Sequence, residues 1–131
     1  MALVSHLWFG HKMLAAYNVH LESRTGDDLR RSQLGELLND TRRYDAGTAV
    51  ILAGDFNFDV SEQAAASCIR QMQFDNPFNH DAEELIRRDS GRNAAIDWVL
   101  TRSSLDISAA QVHSSVRASD HYPLSLTLRL S

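Results

Sequence analysis

The stretch Ala49-Val50-Ile51-Leu52-Ala53-Gly54-Asp55-Phe56-Asn57 decides the architecture. Its first five residues are apolar without a polar break, the mark of a short strand buried on both faces. Gly47 sits in the turn before it, and Gly54, Asp55 and Asn57 come at once after it. All three residue types suit a turn, so Gly-Asp-Phe-Asn reads equally as a plain turn and as a set of polar groups delivered to the end of a strand.

The segments on either side obey the same logic. Leu14 to Leu21, with Leu14, Tyr17, Val19 and Leu21, reads as a strand. It ends in the polar run Glu22 to Asp28, where Gly26 breaks the pattern and Thr25 or Asp27 is placed to cap the next element. Leu29 to Tyr44 reads as a helix with Leu34, Leu37 and Leu38 on one face. A second helix is expected from Ser61, a good N-cap, to about Gln73, with Ala65, Cys68, Ile69 and Met72 turned to a core. Phe74 to Arg92 is polar and poorly periodic, with Pro77 and Gly91, and reads as a long loop with one helical turn at Ala82 to Arg87. Loops of this length in compact domains are often functional, which puts this one at the border of a site. Three further strands are expected at Ala94 to Leu100, Ile107 to Val112 and Tyr122 to Leu130, the last alternating through Leu124, Leu126, Leu128 and Leu130. The order β-α-β-α-loop-β-β-β is an α/β layered architecture, with helices covering a mixed sheet.

Bulk properties bound the rest. The chain of 131 residues fits one domain, 1–131, and its 44% hydrophobic and 23% charged residues suit a globular protein with a modest core. A formal net charge of -4 supplies no general attraction to nucleic acid or anionic membrane. A phosphate substrate is still compatible with it, because a bound metal reverses the local field of an acidic site. The single cysteine, Cys68, excludes an intrachain disulfide and a thiolate zinc cluster, and falls on a helical apolar stripe as a small core residue. No apolar run approaches the roughly 20 residues of a membrane-spanning helix. Met1 to Lys12 is broken by Ser5, His6 and Gly10 and lacks the leader and cleavage pattern of a signal peptide, so a cytoplasmic location is the default expectation.

Polar residues gather at strand ends, where α/β proteins assemble sites. His20 lies near the end of the first strand, Asp55 and Asn57 just after the second, Asp97 between Ile96 and Trp98, and Asp120 and His121 just before the last. Each has a plain alternative. His20, between Val19 and Leu21, fits a hydrogen-bonded core imidazole, and Ser119-Asp120-His121 fits a cap or turn. Asp97 is harder to dismiss, because a buried carboxylate is unfavourable by several kcal/mol unless paired with a group such as histidine or a metal.

Taken in order, Asn18-Val19-His20-Leu21, Gly54-Asp55-Phe56-Asn57, Ile96-Asp97-Trp98-Val99 and Ser119-Asp120-His121-Tyr122-Pro123-Leu124 resemble the later motifs of the endonuclease/exonuclease/phosphatase superfamily, the deoxyribonuclease I-like group. The resemblance runs from about Leu14 to Leu130 and implies half of a deoxyribonuclease I-like α/β sandwich. It implies a phosphoester hydrolase dependent on Mg²⁺ or Mn²⁺, acting on nucleic acid, phospholipid or a small phosphate. By that resemblance Asp55 orients or deprotonates the attacking water, and Asn57 holds a phosphate oxygen or that water. His121 stabilises the phosphoryl charge, Asp97 fixes the tautomer of His121, and His20 is a second imidazole at the phosphate or leaving group. Asp120, with Asp55 and Asn57, binds the metal. Oxygen ligands suit such a cation, and imidazoles beside it offset phosphoryl charge. Arg24, just after the first strand, is placed to add a phosphate contact but reads more readily as a solvated surface arginine, and His6, His11, His80 and His113 match no motif.

The family pattern also has an earlier half, with an asparagine on one strand and the principal metal-binding glutamate on the next. Neither is present here, and Glu22 follows His20 too closely to serve. The sequence therefore reads as a C-terminal half. It is expected to expose an apolar sheet face, to self-associate or require the missing half, and to bind metal weakly. The competing reading is a catalytically silent relative kept as a binding or assembly module.

Overall fold

The computed structural model of the chain describes residues 1–24, 26–87 and 91–130. Among the described residues, seven strands and three α-helices succeed one another as β1 (Ala2–Phe9), β2 (Lys12–His20), α1 (Asp27–Asp40), β3 (Ala49–Asp55), α2 (Gln63–Gln71), β4 (Phe74–Asp75), α3 (Ala82–Leu85), β5 (Asp97–Arg102), β6 (Asp106–Val112) and β7 (Leu124–Arg129). Five strands form one mixed sheet in the order β1-β2-β3-β5-β4, and β6 and β7 form a separate antiparallel pair. β2 and β3 run parallel, joined through α1, while β5 runs antiparallel to β3.

The period-2 alternation of strands sorts the side chains into layers. Tyr17, Val19, Val50, Leu52, Trp98 and Leu100 are fully or nearly fully buried. In register they fall on one face of the sheet, in one cluster with Leu34 and Leu38 of α1 and Ala65 and Ile69 of α2. Their neighbours on the other face, Ala16, Ile51, Ala53 and Val99, are half-buried. Leu124 and Leu126 of β7 pack against the core cluster as well. The long segment after α2 is pinned to that core by Phe74, Phe78 and Leu85, so it is held in place although little of it is regular.

Four local differences from the sequence reading have physical causes. Ala2–Phe9 is a strand that the sequence reading did not anticipate; it pairs with β2 from Ala2↔Val19 to Phe9↔Lys12, turning at Gly10 with a φ of 68°. Ser61 does not cap α2. Its hydroxyl and backbone N–H both donate to Asp59 Oδ1 (2.5 and 2.9 Å), and the helix starts two residues later. Asp27 is the first residue of α1 rather than its cap, paired with Arg30 at 2.7 Å at the helix end that favours negative charge. Thr25, the other proposed cap, lies outside the described residues. The first helix stops at Asp40, and Thr41–Arg43 tightens into a 3-10 turn closed by Thr41 Oγ1 donating to the Leu38 carbonyl at 2.6 Å.

Candidate active site

Three of the expected residues form a row across the sheet. His20 ends β2, Asp55 ends β3 and Asp97 starts β5, and register pairs His20 with Asp55 and Asp55 with Asp97. Parallel pairing of β2 with β3 brings two C-terminal strand ends to one edge, and the antiparallel β5 brings its first residue there. The row is extended past the strands by Leu21 N–H donating to the Asp55 carbonyl (3.0 Å) and Phe56 N–H to the Ile96 carbonyl (2.8 Å).

Gly54 makes the close approach possible. It sits at a φ of 143°, and a Cβ there would meet the Val19 carbonyl oxygen at 2.1 Å. The chain then turns through Asn57 at a φ of 55°, in the left-handed region that asparagine tolerates. Asn57 N–H donates to Asp55 Oδ1 at 2.9 Å, and Asn57 Nδ2 donates to the Leu21 carbonyl at 2.9 Å. The motif is therefore a turn and also a holder of the Asp55 carboxylate. Asp55 Oδ2 faces His20 Nε2 at 3.9 Å. The His20 side chain is 69% exposed, so it is not the core imidazole that its apolar neighbours suggested.

Asp120 and His121 arrive from the loop joining β6 to β7, whose neck is closed by His113 N–H donating to the Pro123 carbonyl at 2.9 Å. Tyr122 is held in that loop between the Arg87 and Arg117 guanidiniums, 5.5 and 5.8 Å from its ring centre. Ser119 Oγ accepts from His121 N–H at 3.1 Å. The imidazole reaches the row, with Nδ1 2.7 Å from Asp97 Oδ2. Asp97 thus has the partner that a half-buried carboxylate needs. Burial raises its pKa above the ordinary carboxylate value, the His121 hydrogen bond and charge pull it partly back, and Asp55 adds to the rise.

A residue that the sequence reading passed over completes the cluster. Arg92 Nη2 lies 3.0 Å from both Asp120 Oδ2 and His121 Nε2. With Nη2 as the donor to Nε2, Nδ1 carries the imidazole proton and donates it to Asp97. Partial desolvation raises Asp120, but His121 and Arg92 outweigh it and leave its pKa below the ordinary value. The only sequence signal for Arg92 was its place at the end of the long loop, which had been expected to border a site. Arg24 is exposed, and His6 and His113 bond Tyr44 and Ser125 instead of the row. His11 and His80 are exposed as well.

Among the described residues, Asp55, Asp97 and His121 can bring ligand atoms within 4.8 Å of one another. Asp97 and His121 are committed to each other, which leaves Asp55 as the free carboxylate of that set. Asp120 stands at the far nitrogen of His121, with Oδ1 3.8 Å from Nε2. The amide oxygen of Asn57 is the remaining hard donor, since its nitrogen is taken by Leu21. Oxygen donors of this kind fit Mg²⁺ or Mn²⁺, but three are few for a cation that takes six ligands.

Solved structures share this fold over 90–98% of the chain. An endonuclease/exonuclease/phosphatase of Beutenbergia cavernae superposes with a TM-score of 0.76 at 22% identity, over 98% of this chain and 39% of its own. The fold is that of the endonuclease/exonuclease/phosphatase proteins. A mannosyl-6-phosphatase of Bacteroides thetaiotaomicron matches with a TM-score of 0.68 and 18% identity, over 90% of this chain and 52% of its own. The TDP2 of D. rerio, in complex with a single-stranded DNA product, matches at 0.71 and 18%, over 98% and 61%. The chain spans about half the length of these solved structures. No family model matches the sequence, and no curated protein does.

Proposed function

We propose that the chain carries the imidazole side of a divalent-metal-dependent phosphoester hydrolase site. The observation that carries this reading is the Asp97–His121 hydrogen bond of 2.7 Å, placed beside Asp55 and His20 on one sheet edge. Asp97 holds the imidazole by Nδ1, so Nε2 is the atom that meets a phosphoryl oxygen. When His121 gains a proton there, the half-buried Asp97 carboxylate stabilises the imidazolium, which offsets charge building on the pentavalent phosphorus. Asp55 has one oxygen fixed by Asn57 N–H and the other, among the described residues, without a close donor, which suits it to take a proton from the attacking water. His20, exposed at the rim, is placed for a phosphate or leaving-group oxygen. Asp55, Asn57 and Asp120 would hold the cation, which supplies Lewis-acid polarisation and neutralises substrate charge.

Those three donors are a sparse shell, and the matched structures are about twice as long. We therefore propose that full activity needs a further acidic ligand from outside these residues. The test is a hydrolysis panel of nucleic acid, phospholipid and small phosphodiesters with Mg²⁺ or Mn²⁺. It is run on the chain alone and on the chain completed by whatever the reading frame upstream of Met1 encodes. Expected are little or no turnover alone and metal-dependent turnover when completed, with Asp55→Ala and His121→Ala each lowering kcat by about 10²-fold or more. Turnover indifferent to both substitutions sinks the site assignment, and robust turnover by the chain alone sinks the need for a further ligand.

A further inference from the structure

Arg92 stands in the place where the phosphoester reading puts substrate. Its Nη2 is 3.0 Å from His121 Nε2, the atom left free once Asp97 holds Nδ1. A nitrogen at that distance from Nε2 occupies the hydrogen-bonding position that a phosphoryl oxygen would need. The imidazole therefore cannot meet substrate until the guanidinium turns aside.

The same side chain carries an unmet donor. Arg92 Nε is buried and has no hydrogen-bond partner among the described residues. A charged donor left buried and unpaired is more unfavourable than a neutral one, so an acceptor arriving within its reach is strongly favoured. In a guanidinium, Nε–H and Nη2 lie along one edge of the plane and point the same way, which is the edge that grips two oxygens of a carboxylate or phosphate side-on. Here one donor of that edge rests against Asp120 and His121, and the other waits. The site's other charged side chains are largely acidic, with Asp55, Asp97 and Asp120 around the imidazole. A phosphate anion entering this cluster needs a fixed cation, and arginine supplies one that cannot lose its proton.

We propose that Arg92 is the phosphate clamp of this site, resting on Asp120 and His121 and turning its Nε–Nη2 edge onto two phosphoryl oxygens when a phosphoester anion enters. The turn releases His121 Nε2 to the substrate at the same moment, and leaves Asp120 free for the cation. The ligand class is a phosphate monoester or diester with at least two unesterified oxygens on phosphorus. This inference rests on the phosphoester reading. An ordinary surface ion pair between Arg92 and Asp120 would instead contribute little to stability and would have no bearing on anion affinity.

The test is an NMR titration of the isotopically labelled chain with inorganic phosphate in the presence of Mg²⁺, tracking the Asp55 and His121 amide signals, with the melting temperature measured alongside. Wild type is expected to show saturable shifts at both signals. Arg92→Gln should weaken phosphate binding about tenfold or more, the loss of a charge-assisted hydrogen bond, while melting within a few degrees of wild type. Arg92→Lys, which keeps the charge and loses the fork, should recover only part of the affinity. Wild-type affinity in Arg92→Gln overturns the clamp and leaves the phosphoester reading standing. Should Arg92→Gln fail to fold, wild-type affinity in Arg92→Lys overturns the two-donor clamp in its place. No saturable phosphate-dependent shift at Asp55 or His121 in wild type overturns the clamp, while the phosphoester reading stands or falls on turnover by the completed chain.

Discussion

A methyl group at position 54 would sit 2.1 Å from a backbone oxygen, at a φ that side chains avoid. Neither partner is the end of a flexible chain, so strand β2 or β3 would have to part. Gly54→Ala is expected to destabilise the chain by about 3 kcal/mol or more, seen as a lower midpoint in urea unfolding. A midpoint within experimental error of wild type would show that the two strands are not held as closely as described. Gly54 and Asn57 were both readable as turn formers, yet the sequence could not say which property mattered. The close contact of Gly54 with Val19 exists only because β2 and β3 run parallel in that register. His20 shows the same gap in the other direction. Apolar neighbours on either side suggested a core imidazole, but it is the last residue of its strand and alternation puts it on the face of exposed Asn18, opposite buried Tyr17 and Val19.

At the scale of elements, strand β2 and helix α1 are tied by Tyr17, whose buried hydroxyl donates to Asp40 Oδ2 at 2.7 Å. Burial, then the hydrogen bond to Asp40 and its charge, raise the phenol well above its ordinary value. A folded pKa above the unfolded one means the neutral phenol is the form that folding favours. Its contribution is therefore complete below about pH 10 and declines as the pH rises beyond that toward the folded value. Tyr17→Phe is expected to lower stability by about 1.5–3 kcal/mol at neutral pH, the range for a hydrogen bond to a charged group. The gap between variant and wild type should narrow above pH 10 in denaturant melts; a constant gap across that range would refute the coupling to Asp40. Element types were legible from periodicity, and both long helices and the five expected strands are present. Their ends were not, because caps depend on competing partners. Ser61 was a sound cap by type, but its hydroxyl turns back onto Asp59 two residues earlier and the helix begins beyond it at Gln63.

On the scale of the whole molecule, the large exposed apolar side chains do not lie at the centre of the sheet, where the sequence reading expected an exposed apolar face. Ile51, Ala53 and Val99 are half-buried. The large exposed apolar side chains gather on β1, where Leu3, Val4, Leu7, Trp8 and Phe9 are 40–65% exposed. Register places Leu3, Leu7 and Phe9 on one face and Val4 and Trp8 on the other. β1 is also an edge of the five-stranded sheet, eight residues long, with no lysine, acidic residue or proline to block pairing. Such an edge is a template for another strand, and two copies of β1 can pair antiparallel about a two-fold axis. The chain by itself is expected to self-associate in light scattering, with Leu3→Lys plus Leu7→Lys shifting it to monomer. A monodisperse wild-type monomer that binds no hydrophobic dye would refute this.

The amino-acid sequence by itself determined the layered α/β class, the helical faces and four polar motifs, because each rests on residue types repeating at short range. The resemblance those motifs carry to one superfamily agreed with the fold. It could not determine that His20, Asp55 and Asp97 form one row, since that depends on one parallel and one antiparallel pairing between strands far apart in the chain. Nor could it reveal β1, whose apolar residues alternate with nothing polar enough to mark a period and which is a strand only because β2 offers it a partner. Arg92 lies 28 and 29 residues from Asp120 and His121 in sequence. Only the tertiary structure, by laying the β6–β7 loop over the start of β5, placed its guanidinium on the imidazole.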